Sequence, residues 1–182
     1  MQPTKDLEPL TLEDIRAAAK KCNAWRIYLH WTAGHYGQAY EDYHLNIDHD
    51  GKIYTCDDEL DFDVKKNHTW QRNSGAIGIA LCGSYDATPG RYGSDTDYGS
   101  EPVTQQQIES MAAVVATICK YANISINSVQ THCEAAFEDD YGPGSGDPET
   151  RWDLWYLPDW DGKRRIGGDV IRGKARWYYE YV

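Results

Sequence analysis

Short apolar runs along the chain alternate with polar, turn-rich stretches, and their periods sort them into helices and strands. Residues 11–21 predict a helix: Thr11 and Asp14 stand at capping-box spacing, with acidic residues at its start and basic ones at its end. Arg26–Trp31 alternates like a strand. Two further strands, at 43–48 and 52–56, flank an Asp50-Gly51 turn and predict a hairpin. Residues 76–82 form an apolar run that suits a central strand. Residues 86–102 are rich in Gly, Ser, Asp and Tyr and read as a surface loop. The strongest helix is 104–121, with Thr104 and Gln107 at capping-box spacing and Ile108, Met111, Ala112, Val115 and Ile118 on one face. Val129–Thr131 is a brief strand, 134–148 a loop, 151–155 the start of a short helix, and 169–181 a final helix. No repeat or linker interrupts this order, which predicts one α/β domain with a mixed central sheet flanked by helices.

Composition narrows the function. A formal net charge of −11 over 182 residues argues against nucleic acid and anionic lipid as partners. No apolar run approaches the ~20 residues of a membrane span. The first residues lack a signal-peptide pattern, so if the protein acts outside a cytoplasmic membrane it is expected to be carried there by something else or to have lost its leader. The five cysteines are widely spaced without a Cys-x-x-Cys pair, and are expected to be mostly buried thiols. Fourteen tyrosines and seven tryptophans outnumber two phenylalanines, which suits wet aromatic surfaces.

Three side chains stand out by position. His30 lies near the end of the first long strand, His132 at the end of a later one, and Asp147 in the Gly-rich loop beyond. Two imidazoles and a carboxylate suit Zn²⁺, and three protein ligands leave a fourth position open, as catalytic sites require. Spacing alone does not decide this, because most histidines are structural or exposed.

Five segments in order carry a resemblance. They are His30-Trp31-Thr32-Ala33-Gly34, the hairpin at 43–54, the strand at 73–81 with His68 before it, Thr131-His132-Cys133-Glu134, and Asp147-Pro148 followed by Trp152-Asp153. Together they resemble the N-acetylmuramoyl-L-alanine amidase family of AmpD-like enzymes, phage lysozyme-type amidases and peptidoglycan recognition proteins. The likeness spans roughly residues 25–155, leaving roughly 156–182 as a helical extension of the same domain.

The resemblance implies one Zn²⁺ held by His30, His132 and Asp147. It implies that Tyr43 sits beside the metal, as in the phage and recognition-protein branches. AmpD-like enzymes instead carry a glutamate on the central strand, where this chain has Ala80. Many members place a lysine two residues before the third ligand; Ser145 stands there and is the candidate oxyanion donor. Trp31, His68 and Trp70 are candidate substrate-binding residues. The implied activity is zinc-dependent hydrolysis of the lactyl-L-alanine amide of peptidoglycan by a phage or prophage endolysin. A non-catalytic peptidoglycan-binding module, a cytoplasmic muropeptide-recycling enzyme and a hydrolase of another amide are the alternatives.

Overall fold

The computed structural model describes residues 1–146 and 151–182. In chain order its elements are β1 (Gln2–Pro3), α1 (Leu12–Ala19), β2 (Arg26–Trp31), β3 (Gln38–Ala39), β4 (Leu45–Ile47), β5 (Ile53–Tyr54) and β6 (Ala76–Leu81). There follow α2 (Gln105–Tyr121), β7 (Val129–Thr131), α3 (His132–Glu138), β8 (Tyr156–Pro158), β9 (Arg164–Ile166) and α4 (Gly167–Tyr178).

The most apolar runs, β2 and β6, lie side by side inside a five-stranded sheet of order β5-β4-β6-β2-β7. The four strands β4, β6, β2 and β7 are parallel, and β5 returns antiparallel through the Asp50-Gly51 turn. Ile27, Leu29, Ile77, Ile79 and Leu81 are fully buried, as a strand covered on both faces requires. The expected mixed α/β architecture is therefore the observed one. Among the described residues no helix is long and apolar enough to cross a membrane.

Both capping boxes read from the sequence are present, Thr11 with Asp14 and Thr104 with Gln107. The apolar face of α2 is wider than the five positions named above, because Val114, Ala116 and Cys119 are buried too. The cause is that α1 and α4 both pack on α2 beyond the sheet. Gln107 is fully buried, and its amide donates to Ile47 O (3.0 Å) and Cys82 O (2.7 Å), tying the start of α2 to the ends of β4 and β6. All five cysteines are unpaired, as expected, and Cys82, Cys119 and Cys133 are buried.

Three expectations need correction. The stretch expected to be a loop from 134 opens as α3, because Thr131 and Glu134 form a third capping box and Cys133, Ala135 and Ala136 bury an apolar side. Cys133 thus follows His132 into a helix rather than along a strand. The expected helix at 151–155 is a turn, with Arg151 (φ 56°) and Leu154 (φ 58°) in the left-handed region. The last helix begins at Gly167, so the glycine pair lies inside its first turn. A Cβ on Gly167 would stand 2.0 Å from Leu154 O, and one on Gly168 2.4 Å from the Glu134 carboxylate, so close approach fixes glycine there.

Candidate functional site

Parallel pairing of β2 with β7 sets Leu29 opposite Thr131. The residue after each of these is a histidine, so His30 and His132 emerge side by side at the carboxyl ends of neighbouring strands, where open α/β sheets place their ligands. Their ring centroids are 4.7 Å apart. Asp153 meets them from the turn at 151–155. Its Oδ2 lies 3.2 Å from His30 Nδ1 and its Oδ1 2.9 Å from His132 Nδ1. One ligand-type atom from each of the three residues falls within 4.8 Å of the others. Arg151 and Leu154 hold costly left-handed conformations on either side of Asp153, and the fully buried Leu154 anchors the turn.

The electrostatics suit a cation. Burial pushes the His30 pKa down, against the pull of Asp153, so the ring is neutral at neutral pH. Burial alone would raise the Asp153 carboxyl, yet the adjacent His132 and His30 hold it well below the usual carboxylate range. Two imidazoles, that of His30 neutral, and an ionised carboxylate converging on one point are the donor set that Zn²⁺ accepts.

Around this cluster lies a cleft of about 340 Å³, lined by Tyr43, His132, Arg151, Trp152 and Asp153 among others. A roomier groove of about 560 Å³ between the end of α2 and α4 holds no such convergence of ligand-type groups among the described residues. Tyr43 lies with its ring 5.1 Å from that of His30. Burial, reinforced by Asp153, pushes its hydroxyl pKa up, so it is a donor at neutral pH and not a base. The Arg151 guanidinium stacks 4.4 Å over the Tyr141 ring and 5.5 Å from that of Trp70, at the cleft wall. Ala80 is the lateral neighbour of His30 in the sheet and is fully buried.

The remaining expected residues fall as follows. Trp31 lines the cleft but is mostly core, packed edge-on to Trp152 at 4.9 Å. Trp70 is about half exposed beside Arg151 and Tyr141. His68 is buried, its ring 5.3 Å from that of His30 and its Nδ1 3.0 Å from Thr69 Oγ1. Ser145 is exposed, and its hydroxyl donates to Gly142 O at 3.0 Å. Asp147 lies outside the described residues. Asp153 stands within the last of the five resembling segments but carries no assigned role in sequence, and neither Arg151 nor Thr69 stands out there. The available signal was the spacing Arg151-x-Asp153, a basic residue two before a carboxylate, which repeats the lysine-to-ligand spacing of many relatives.

His68 occupies space that only glycine leaves open. A Cβ on Gly78 would stand 2.5 Å from two ring carbons of His68, both residues being buried. Gly78→Ala is expected to cost about 1–3 kcal/mol through this overpacking. Urea unfolding of the variant against the parent checks it, and an unchanged midpoint would mean that the ring moves freely.

The family model described as N-acetylmuramoyl-L-alanine amidase matches residues 15–148. The chain belongs to this amidase family. The match takes in His30, Tyr43, His68 and His132, so the family's region contains both histidines of the cluster. Among solved structures, this family member is similar to the N-acetylmuramoyl-L-alanine amidase LysC from Clostridium intestinale URNW. That likeness has 23% identity and a TM-score of 0.42, covering 62% of this chain and 72% of that one. It is also similar to the ectodomain complex of peptidoglycan recognition proteins LCa and LCx bound to tracheal cytotoxin, at 14% identity and a TM-score of 0.44, covering 72% and 78%. No curated protein sequence matches significantly.

Proposed function

We propose that this amidase-family chain is a zinc-dependent N-acetylmuramoyl-L-alanine amidase, with His30 Nδ1, His132 Nδ1 and an Asp153 carboxylate oxygen as its metal ligands. The observation that carries the reading is the meeting of those three atoms at the carboxyl edge of the parallel strands. A zinc ion there supplies a Lewis acid toward the amide carbonyl and activates water at neutral pH. The rest of the chemistry belongs to the chain. Tyr43, protonated at neutral pH, donates a hydrogen bond to the scissile carbonyl or to the attacking water. Arg151 is a fixed cation beside the carbonyl oxygen as negative charge grows there, in the role the resemblance gives to lysine. Trp70, half exposed at the rim, offers an aromatic face to the substrate.

Filled ligand positions favour an enzyme over a non-catalytic peptidoglycan-binding module. Tyr43, together with Ala80 in place of a glutamate, supports a phage or prophage endolysin over a recycling enzyme.

Release of soluble stem peptide from purified peptidoglycan tests the function. The expected result is peptide with new amino-terminal alanine, lost on chelation and restored by Zn²⁺. Intact wall with the zinc-loaded protein, or release that a chelator leaves unchanged, would overturn the reading.

A further inference from the structure

A histidine holds a metal tightly when its ring is fixed both in rotation and in tautomer, and the nitrogen facing away from the metal fixes both. For His30 that nitrogen is Nε2, and it lies 3.3 Å from Thr69 Oγ1 in a buried setting. The same hydroxyl lies 3.0 Å from His68 Nδ1. We propose that Thr69 is the positioning residue of the metal site: its hydroxyl accepts the Nε2 proton of His30 and donates its own proton to His68 Nδ1. This inference rests on the zinc reading above.

The proton count supports that direction. A neutral imidazole carries one proton. Placed on His30 Nδ1 it would face Asp153 and occupy the lone pair that a metal needs. Placed on Nε2 it needs an acceptor in a buried pocket, and Thr69 Oγ1 is the acceptor within reach. The hydroxyl's own proton then needs an acceptor, which His68 Nδ1 supplies if that ring is neutral with its proton on Nε2. His68 Nε2 has no hydrogen-bond partner among the described residues, which leaves it free to carry the ring's proton.

The backbone holds Thr69 in place. Asn73 Oδ1 accepts from Thr69 N (2.7 Å) and from His68 N (3.1 Å), and Thr69 O accepts from Arg72 N (3.0 Å). The Arg72 side chain reaches Asp139 (2.6 Å) and Glu138 (3.0 Å), just past and at the end of α3, the helix that His132 begins. One six-residue loop, 68–73, therefore sets the ring of one ligand while it is tied to the helix that presents the other.

Thr69→Val keeps the shape and removes the hydroxyl. Zinc affinity, measured by competition with a chromophoric chelator, is expected to fall about 10–100-fold, and Thr69→Ser is expected to recover most of it. Wild-type protein that binds no zinc would overturn the metal reading and this inference with it. Zinc binding by wild type and the Val variant with equal affinity would overturn the inference alone, as would a Ser variant as weak as Val. Ring-nitrogen NMR of zinc-loaded wild type gives a reading that depends on no variant. Protons on His30 Nε2 and His68 Nε2 are expected, and a proton on His68 Nδ1 would contradict the relay.

Discussion

Asp153→Ala is expected to abolish zinc uptake and to lower amide hydrolysis on the order of a thousandfold or more, the scale of losing several kcal/mol of transition-state stabilisation. Removing the carboxylate leaves two imidazoles and no anionic ligand at the point where the three groups meet. The variant also removes the Asp153 carboxylate contacts that orient His30 and His132. Asp147→Ala is expected to keep stoichiometric zinc. Metal content by mass spectrometry, read beside activity, separates the two carboxylates. Zinc lost from Asp147→Ala and kept by Asp153→Ala would return the third ligand to Asp147, the position that the resemblance implies.

The metal-free protein is expected to lose stability steeply as pH falls from 7.5 to 4.5. Burial pushes the His68 pKa down to about 2, with the neighbouring His30 and His44 adding to it. Burial lowers His44 as well. His44 Nε2 donates to Val64 O at 2.7 Å while its Nδ1 accepts from Gly78 N at 3.0 Å, so a second proton on the ring would break the bond to β6. The sign follows from linkage. A group whose folded pKa is depressed contributes stability that is present above its unfolded value and lost as pH falls toward the folded one. For His68 that window runs from about 6.5 down to about 2. Each pH unit inside it costs about 1.4 kcal/mol per histidine kept neutral. Urea midpoints in chelator at pH 7.5, 5.5 and 4.5 measure the loss. Stability that stays flat across that range would mean the rings take up protons inside the fold.

The sheet was legible because its strands are short apolar runs with clear boundaries, and β2 falls at the residues its alternation marks. The helices starting at Leu12 and Gln105 were legible through their capping pairs. The helix at 132–138 carried the same signal in Thr131 and Glu134, but the strand before it drew His132 into the wrong element. Its seven residues are too few for a helical period to stand out. The two histidines of the cluster could be found because each stands at or just past the end of a strand, and parallel pairing then sets them side by side. Asp153 was hard to place for the opposite reason. It sits in a turn with two left-handed residues, where no periodicity operates, and a second carboxylate six positions earlier fits the same motif. Thr69 left no trace in sequence, because its role comes from a contact across 39 residues.

The most direct measurement is an anomalous-scattering map at the zinc absorption edge from crystals grown with Zn²⁺. The expected result is one peak per chain, about 2.0–2.2 Å from His30 Nδ1, His132 Nδ1 and an Asp153 oxygen. A peak coordinated by other residues, or no peak between these three, would contradict the proposed metal centre.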